Sequence, residues 1–94
     1  MSMLQQAAQA GSVESSDILI MLAPAEPGTG IELDLISPTK RQYGVQITNL
    51  ILKTLQDLGI EDAIVHANDK GALDYVIEAR VKTAAKRAAG QKGF

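Results

Sequence analysis

The sequence predicts an α+β fold, a two-layer sandwich in which a mainly antiparallel four-stranded sheet is covered by two helices, in the order β-β-β-α-β-α. Three observations carry this prediction. The first 36 residues contain two strand-like runs, 17–23 and 31–36. Two later segments repeat apolar residues at three- and four-residue spacing, as a half-buried helix does. Between them lies a short β-prone run centred on Ile64 and Val65. A chain of 94 residues has room for one domain and one modest core. That domain is expected over 7–90, with flexible tails at 1–6 and 91–94.

The first strand, near Ala8–Val13, is inferred from the turn that comes after it. If Glu14 to Asp17 reverses the chain, the residues before the reversal must pair with those beyond it. The next strand, Asp17–Ala23, puts Ile18, Ile20 and Leu22 on one face and Leu19 and Met21 on the other. Apolar residues on both faces mark it as central. Pro24–Gly30 reads as a hairpin connection. Its Gly28 and Gly30 lack the Lys and the following helix of a phosphate-binding loop. Ile31–Ile36 alternates, with Ile31, Leu33 and Leu35 inward and Glu32 and Asp34 outward, and reads as a half-buried antiparallel strand.

Ser37 and Pro38 read as N-cap and first residue of a helix running to about Leu58. Tyr43, Ile47, Leu50, Ile51, Leu55 and Leu58 form its buried stripe, and Gly59 closes it. Gly44 inside that helix costs about 1 kcal/mol relative to Ala, which a close packing contact would explain. Asp62–Ala67 is the fourth strand, and Asn68-Asp69-Lys70-Gly71 a turn that also offers N-caps. The last helix spans about Ala72–Ala89, with a stripe of Leu73, Val76, Ile77, Val81, Ala84, Ala85 and Ala88. Short loops favour antiparallel neighbours among the first three strands. The pattern does not say where the fourth strand lies.

Several function classes are excluded by composition. The chain has no Cys, which removes disulfides, thiolate metal sites and a Cys nucleophile. The single His, His66, has no readable partner base or second ligand and is read as structural. No Ser/His/Asp set has triad-like spacing, and aromatics at 3% offer no stacking platform for nucleic acid. A free-standing enzyme is therefore not expected. No basic leader precedes an apolar run, and no stretch approaches the roughly 18 apolar residues of a membrane span. The expectation is a cytoplasmic protein.

The net charge of −2 is unevenly spread. Residues 1–39 contain Glu14, Asp17, Glu26, Glu32 and Asp34 and no base, while 80–94 contain Arg80, Lys82, Lys86, Arg87 and Lys92 and no acid. The basic stretch is either a solvated face near the negative end of its helix or a docking patch for an acidic partner or anionic ligand.

One stretch stands out chemically. In Gly11-Ser12-Val13-Glu14-Ser15-Ser16-Asp17, two adjacent hydroxyls sit between two carboxylates just before an aliphatic strand. This is a tight turn, and a Ser at a turn tip is exposed and open to covalent modification.

That stretch, together with the strand ending at Ala23-Pro24, resembles the N-terminus of the citrate lyase acyl carrier (gamma chain) family. Gln42-Tyr43-Gly44 early in the first helix resembles the same family, as do Asp69-Lys70-Gly71-Ala72-Leu73-Asp74 and Ala79-Arg80. Each segment is short, but they recur in order over nearly the whole chain. The resemblance implies a non-catalytic acyl carrier subunit. In it the Ser after Glu, here Ser15, holds phosphoribosyl-dephospho-coenzyme A through a phosphodiester. The thiol of that arm would carry acetyl and citryl groups while citrate is cleaved to acetate and oxaloacetate. The implied partners are the alpha (acyl transferase) and beta (citryl lyase) chains and a prosthetic-group transferase, with no nucleic acid, membrane or metal. The family often has Gly after the modified Ser, where this chain has Ser16. The acyl carrier of malonate decarboxylase shares the Ser-(small)-Asp turn and is the nearest alternative. A ligand-binding regulatory module without a modified Ser, and a structural or RNA-contacting subunit using Arg80 to Lys92, are the readings from other classes.

Overall fold

The computed structural model describes residues 4–90. The tail expected at 91–94, and residues 1–3 of the tail expected at 1–6, lie outside the described residues. The elements are β1 (Ala8–Gly11), β2 (Ile18–Pro24), β3 (Ile31–Ile36), α1 (Lys40–Asp57), β4 (Ala63–Asp69) and α2 (Asp74–Ala88). Class and element order are as the sequence predicts.

The sheet order is β1-β2-β4-β3. β1 and β2 form an antiparallel hairpin, with Ala10 opposite Ile20. β2 is central, as expected, although only its Ile18, Ile20 and Leu22 face is fully buried, and it pairs antiparallel with β4. The sheet is mixed rather than antiparallel throughout, because β3 pairs with β4 in parallel, Leu33 opposite Val65. The reason is α1. Parallel neighbours need a long crossover, and an 18-residue helix supplies one, so β4 enters beside β3 and separates it from β2. β3 is left as an edge strand, where exposed Glu32 and Asp34 discourage pairing with another chain.

Pro24–Gly30 is therefore no hairpin loop. It passes over the start of β4, and Asp62 Oδ1 accepts the N–H groups of Gly28 and Gly30 at 2.9 and 2.8 Å. Those two donors are occupied internally, which removes any phosphate-cradle reading.

Ile18, Ile20, Leu22, Val65, Ile51, Leu55, Ile77 and Val81 are fully buried between the sheet and the helices. Leu50 and Val76 are only partly buried at its margin. The other face of the sheet is uncovered and carries Met21 and His66. His66 is exposed, with Nδ1 3.6 Å from Asp34 Oδ2, a surface role. The segment before β1, expected within a flexible tail, is tied down. Gln5 and Gln6 donate their N–H groups to the Ala88 carbonyl at 2.8 and 3.1 Å, satisfying an acceptor that the helix end leaves open. Among the described residues no helix is long and apolar enough to cross a membrane.

Both helix starts differ from expectation. α1 begins at Lys40, because the Ser37 hydroxyl donates to Asp69 Oδ2 (2.8 Å) while accepting the Thr39 N–H (3.2 Å). Ser37 thus tethers the end of β3 to the end of β4 instead of capping the helix. Tyr43 and Leu73, expected in the buried stripes, are exposed, since both sit at helix starts beyond the edge of the core.

Gly44 is buried, yet no close approach explains it. An added Cβ would meet only the aliphatic stem of Lys40, Cγ at 3.1 Å, an exposed and movable side chain. Replacing Gly44 by Ala is expected to stabilise the chain by about 0.5–1 kcal/mol in urea unfolding. A loss of stability would show that Lys40 cannot move aside.

Candidate functional site

The candidate site is the reversal between β1 and β2. It starts at Gly11, whose φ is +94° and whose missing Cβ would collide with the Ile18 carbonyl oxygen. No other residue fits there, because both the backbone region and the space exclude a side chain.

Asp17 is the hub of this turn. Its Oδ1 accepts the Ile18 N–H at 2.7 Å and the Arg80 Nε–H at 3.0 Å. Its Oδ2 accepts the Ser12 hydroxyl at 2.7 Å and Arg80 Nη2 at 3.3 Å. Arg80 comes from α2, so one carboxylate ties the turn to a helix 63 residues away. Hydrogen bonding from Arg80, then from Ser12 and the Ile18 N–H, lowers the Asp17 pKa to about 2, against a cost of partial burial.

Inside this frame Glu14 to Asp17 form a β-turn, with the Asp17 N–H donating to the Glu14 carbonyl at 3.1 Å. Ser16, the third residue, has φ +67°, the sign a type II turn demands at that place. A second clamp comes from the end of β4. The Ser16 N–H donates to the Lys70 carbonyl and the Lys70 N–H donates to the Asp17 carbonyl, both at 2.9 Å. Asp69, buried beside it, accepts the Ala72 N–H at 2.9 Å and the Ser37 hydroxyl at 2.8 Å, which fixes that end of the sheet.

The three serines are therefore not equivalent. The Ser12 hydroxyl is committed to Asp17 and also accepts the Glu14 N–H at 3.2 Å. Ser15 is exposed at the second position of the turn, and its hydroxyl makes no hydrogen bond within the described residues. Ser16 is exposed too, but its backbone is the clamped, left-handed residue. A covalent group linked through Ser15 Oγ would displace no internal bond.

This chain is similar to known carriers. It is 49% identical over 91 residues to the citrate lyase acyl carrier protein of Streptococcus equi subsp. zooepidemicus, covering 97% of this chain and 88% of that one. The chain belongs to the family of citrate lyase acyl carrier proteins. The carrier from Fusobacterium nucleatum is 47% identical over 85 residues, 90% of this chain and 89% of that one. A family model described as "Malonate decarboxylase delta subunit (MdcD)" matches residues 5–88. The fold is shared with a chain in the crystal structure of a Pseudomonas malonate decarboxylase hetero-tetramer in complex with malonate. The TM-score is 0.72 at 18% identity, over 94% of this chain and 92% of that one.

Apart from the strand end at Ala23-Pro24, the segments that resemble the carrier family in sequence converge in space. The turn, Asp69 to Asp74, Tyr43 and Arg80 all lie at one end of the sheet. The departure at Ser16 also gains a physical meaning, since a residue with positive φ is where Gly is favoured. Sequence reading missed Arg80 as the partner of Asp17 and Asp69 as an anchor. Their presence in the resembling segments was the available signal. The basic stretch is partly used inside the molecule. Arg80 holds Asp17, Arg87 donates to the Gln9 carbonyl at 2.9 Å, and Lys82 pairs with Glu78 one turn earlier at 2.8 Å. Among the described residues no group of three His, Cys, Asp or Glu could hold a metal ion.

Two substitutions test this geometry. Asp17 has a folded pKa below its unfolded value, so its stabilisation is complete above about pH 4 and is lost as pH falls toward 2. Arg80→Ala should lower stability at pH 7, and the gap from the parent chain should shrink toward pH 2 in urea titrations. A gap independent of pH would mean Arg80 acts through packing alone. Ser16→Gly should stabilise by roughly 0.5–1 kcal/mol, because it relieves the left-handed strain at some entropic cost. Destabilisation would contradict the turn geometry.

Proposed function

We propose that this chain is the acyl carrier subunit of a citrate lyase, and that Ser15 is the attachment point of its phosphoribosyl-dephospho-coenzyme A group. The observation that supports the site is the contrast within the turn. The backbone around Ser15 is held from both sides, while its hydroxyl, unlike that of Ser12, is left free and exposed. A phosphodiester needs that oxygen and nothing else from the side chain. The identity to citrate lyase carriers favours citrate lyase over malonate decarboxylase.

When attached, the group supplies a terminal thiol able to hold an acyl thioester. The chain's own part is positional. Asp17 and Arg80 fix the base of the turn, the Lys70 backbone fixes its middle, and Gly11 permits the entry. A rigid base with a long tether gives each partner active site a high effective concentration of substrate. The absence of Cys from the chain is consistent with this division, because the reactive sulfur belongs to the group. We assign the alpha and beta chains of citrate lyase and the prosthetic-group transferase as partners in the cytoplasm. The basic face of α2, with Lys82 and Lys86, is the surface proposed to meet them.

Ser15→Ala should leave stability within about 0.5 kcal/mol of the parent. It should abolish the mass increase seen after co-expression with the transferase, and so abolish citrate cleavage in the assembled complex. Ser16→Ala should still load. Peptide mapping that puts the group on Ser12 or Ser16, or loading of Ser15→Ala, would overturn the assignment.

A further inference from the structure

A groove of ≈ 550 Å³ opens between the starts of the two helices. Tyr43, Gln46 and Ile47 of α1 form one wall, and Gly71, Ala72 and Tyr75 the other. The volume lies in the range of small-molecule sites. Its lining is unusual for this chain. The protein has two Tyr and one Phe, and both tyrosines stand here, exposed by 51% and 71%, instead of in the core. Exposed aromatic rings lining a groove provide faces for stacking.

Position adds to this. Lys70, whose backbone clamps Ser16 and Asp17, precedes Gly71 directly, so the groove begins one residue beyond the clamp on the Ser15 turn. Charge narrows the occupant. Asp69 and Asp74 also line the groove, which disfavours phosphate there. The Asp74 carboxylate is held only by long 3.4 Å bonds from the Gln46 side-chain amide, leaving that amide able to turn to another acceptor. An uncharged, flat, hydrogen-bonding ring suits such a site.

We propose that the groove holds the adenine base of the chain's own prosthetic group, stacked on Tyr43 or Tyr75, between visits of the arm to partner active sites. This rests on the carrier reading above and extends it. Only the phosphoribosyl link would lie between Ser15 and the adenosine, and so short a tether gives the base an effective concentration in the millimolar range, so a millimolar intrinsic affinity is enough for about half occupancy. Tighter binding would oppose release.

The test uses the unmodified chain, produced without the transferase and so carrying no group, titrated with free dephospho-coenzyme A and followed by amide and aromatic NMR shifts. Saturable shifts are expected at Tyr43, Gly71, Ala72 and Tyr75 with millimolar affinity. Of Tyr43→Ala and Tyr75→Ala, at least one should weaken binding about 5-fold or more, the lower end of what one base–aromatic stack contributes. Val45→Ala, exposed on the same helix but outside the groove, should not. Pantetheine, which lacks the base, should produce no saturable shift in the groove. No saturable shift with dephospho-coenzyme A, shifts on the uncovered sheet face instead, or equal binding of pantetheine would overturn the proposal. Because no covalent attachment is involved, failure here leaves the Ser15 assignment standing, and failure of that assignment does not alter this titration.

Discussion

The carboxylate of Asp17 is the constraint on which the reversal between β1 and β2 depends. It stands where four demands meet: the first N–H of β2, the hydroxyl of Ser12, and two N–H groups of Arg80. Each bond is charge-assisted, which makes it stronger than a neutral one. Without that hub the hairpin between β1 and β2 would be a loose loop of small residues. With it, the loop is referenced to α2 and hence to the core through Ile77 and Val81. A pair whose arginine is partly exposed contributes only about 1 kcal/mol to global stability. Its consequence is local, since it sets where the turn sits.

Topology explains why the turn has anything to be clamped to. The α1 crossover inserts β4 beside β2, so the end of β4 arrives next to the β1–β2 reversal. Lys70 then offers both its N–H and its carbonyl to the turn, and Asp69 holds Ser37 and the approach to α2. Had β4 taken an edge place beside β3, the end of β3 would have adjoined the serine turn in place of Lys70. The mixed sheet is thus what brings the Lys70 backbone against the turn.

Much of this was legible in the sequence, for physical reasons. Ile18, Ile20 and Leu22 alternate with the strand period, and α1 and α2 carry stripes at the helical period, so local pattern and burial agree. β3 was legible to the residue. Strand order was not, because a parallel pairing through a helix leaves no local mark and short loops suggested hairpins. The Ser37 cap was misread because its hydroxyl has a tertiary partner, Asp69, that outcompetes the local role. Tyr43 fits the apolar stripe by spacing, yet it lies one turn beyond the core. At the site, the exposed serines were readable from turn composition, whereas the Asp17–Arg80 bond spans 63 residues and only three-dimensional structure joins its ends.

The central claim is that the backbone under Ser15 is rigid while its hydroxyl is free. Backbone 15N relaxation and amide hydrogen exchange on the unmodified chain at neutral pH test it most directly. Order parameters near 0.85 for Ser15, Ser16 and Asp17, like those of β2, with a protected Ser16 N–H, are the predicted result. Values below about 0.6 across the turn, with Ser16 exchanging as in an unstructured peptide, would contradict it.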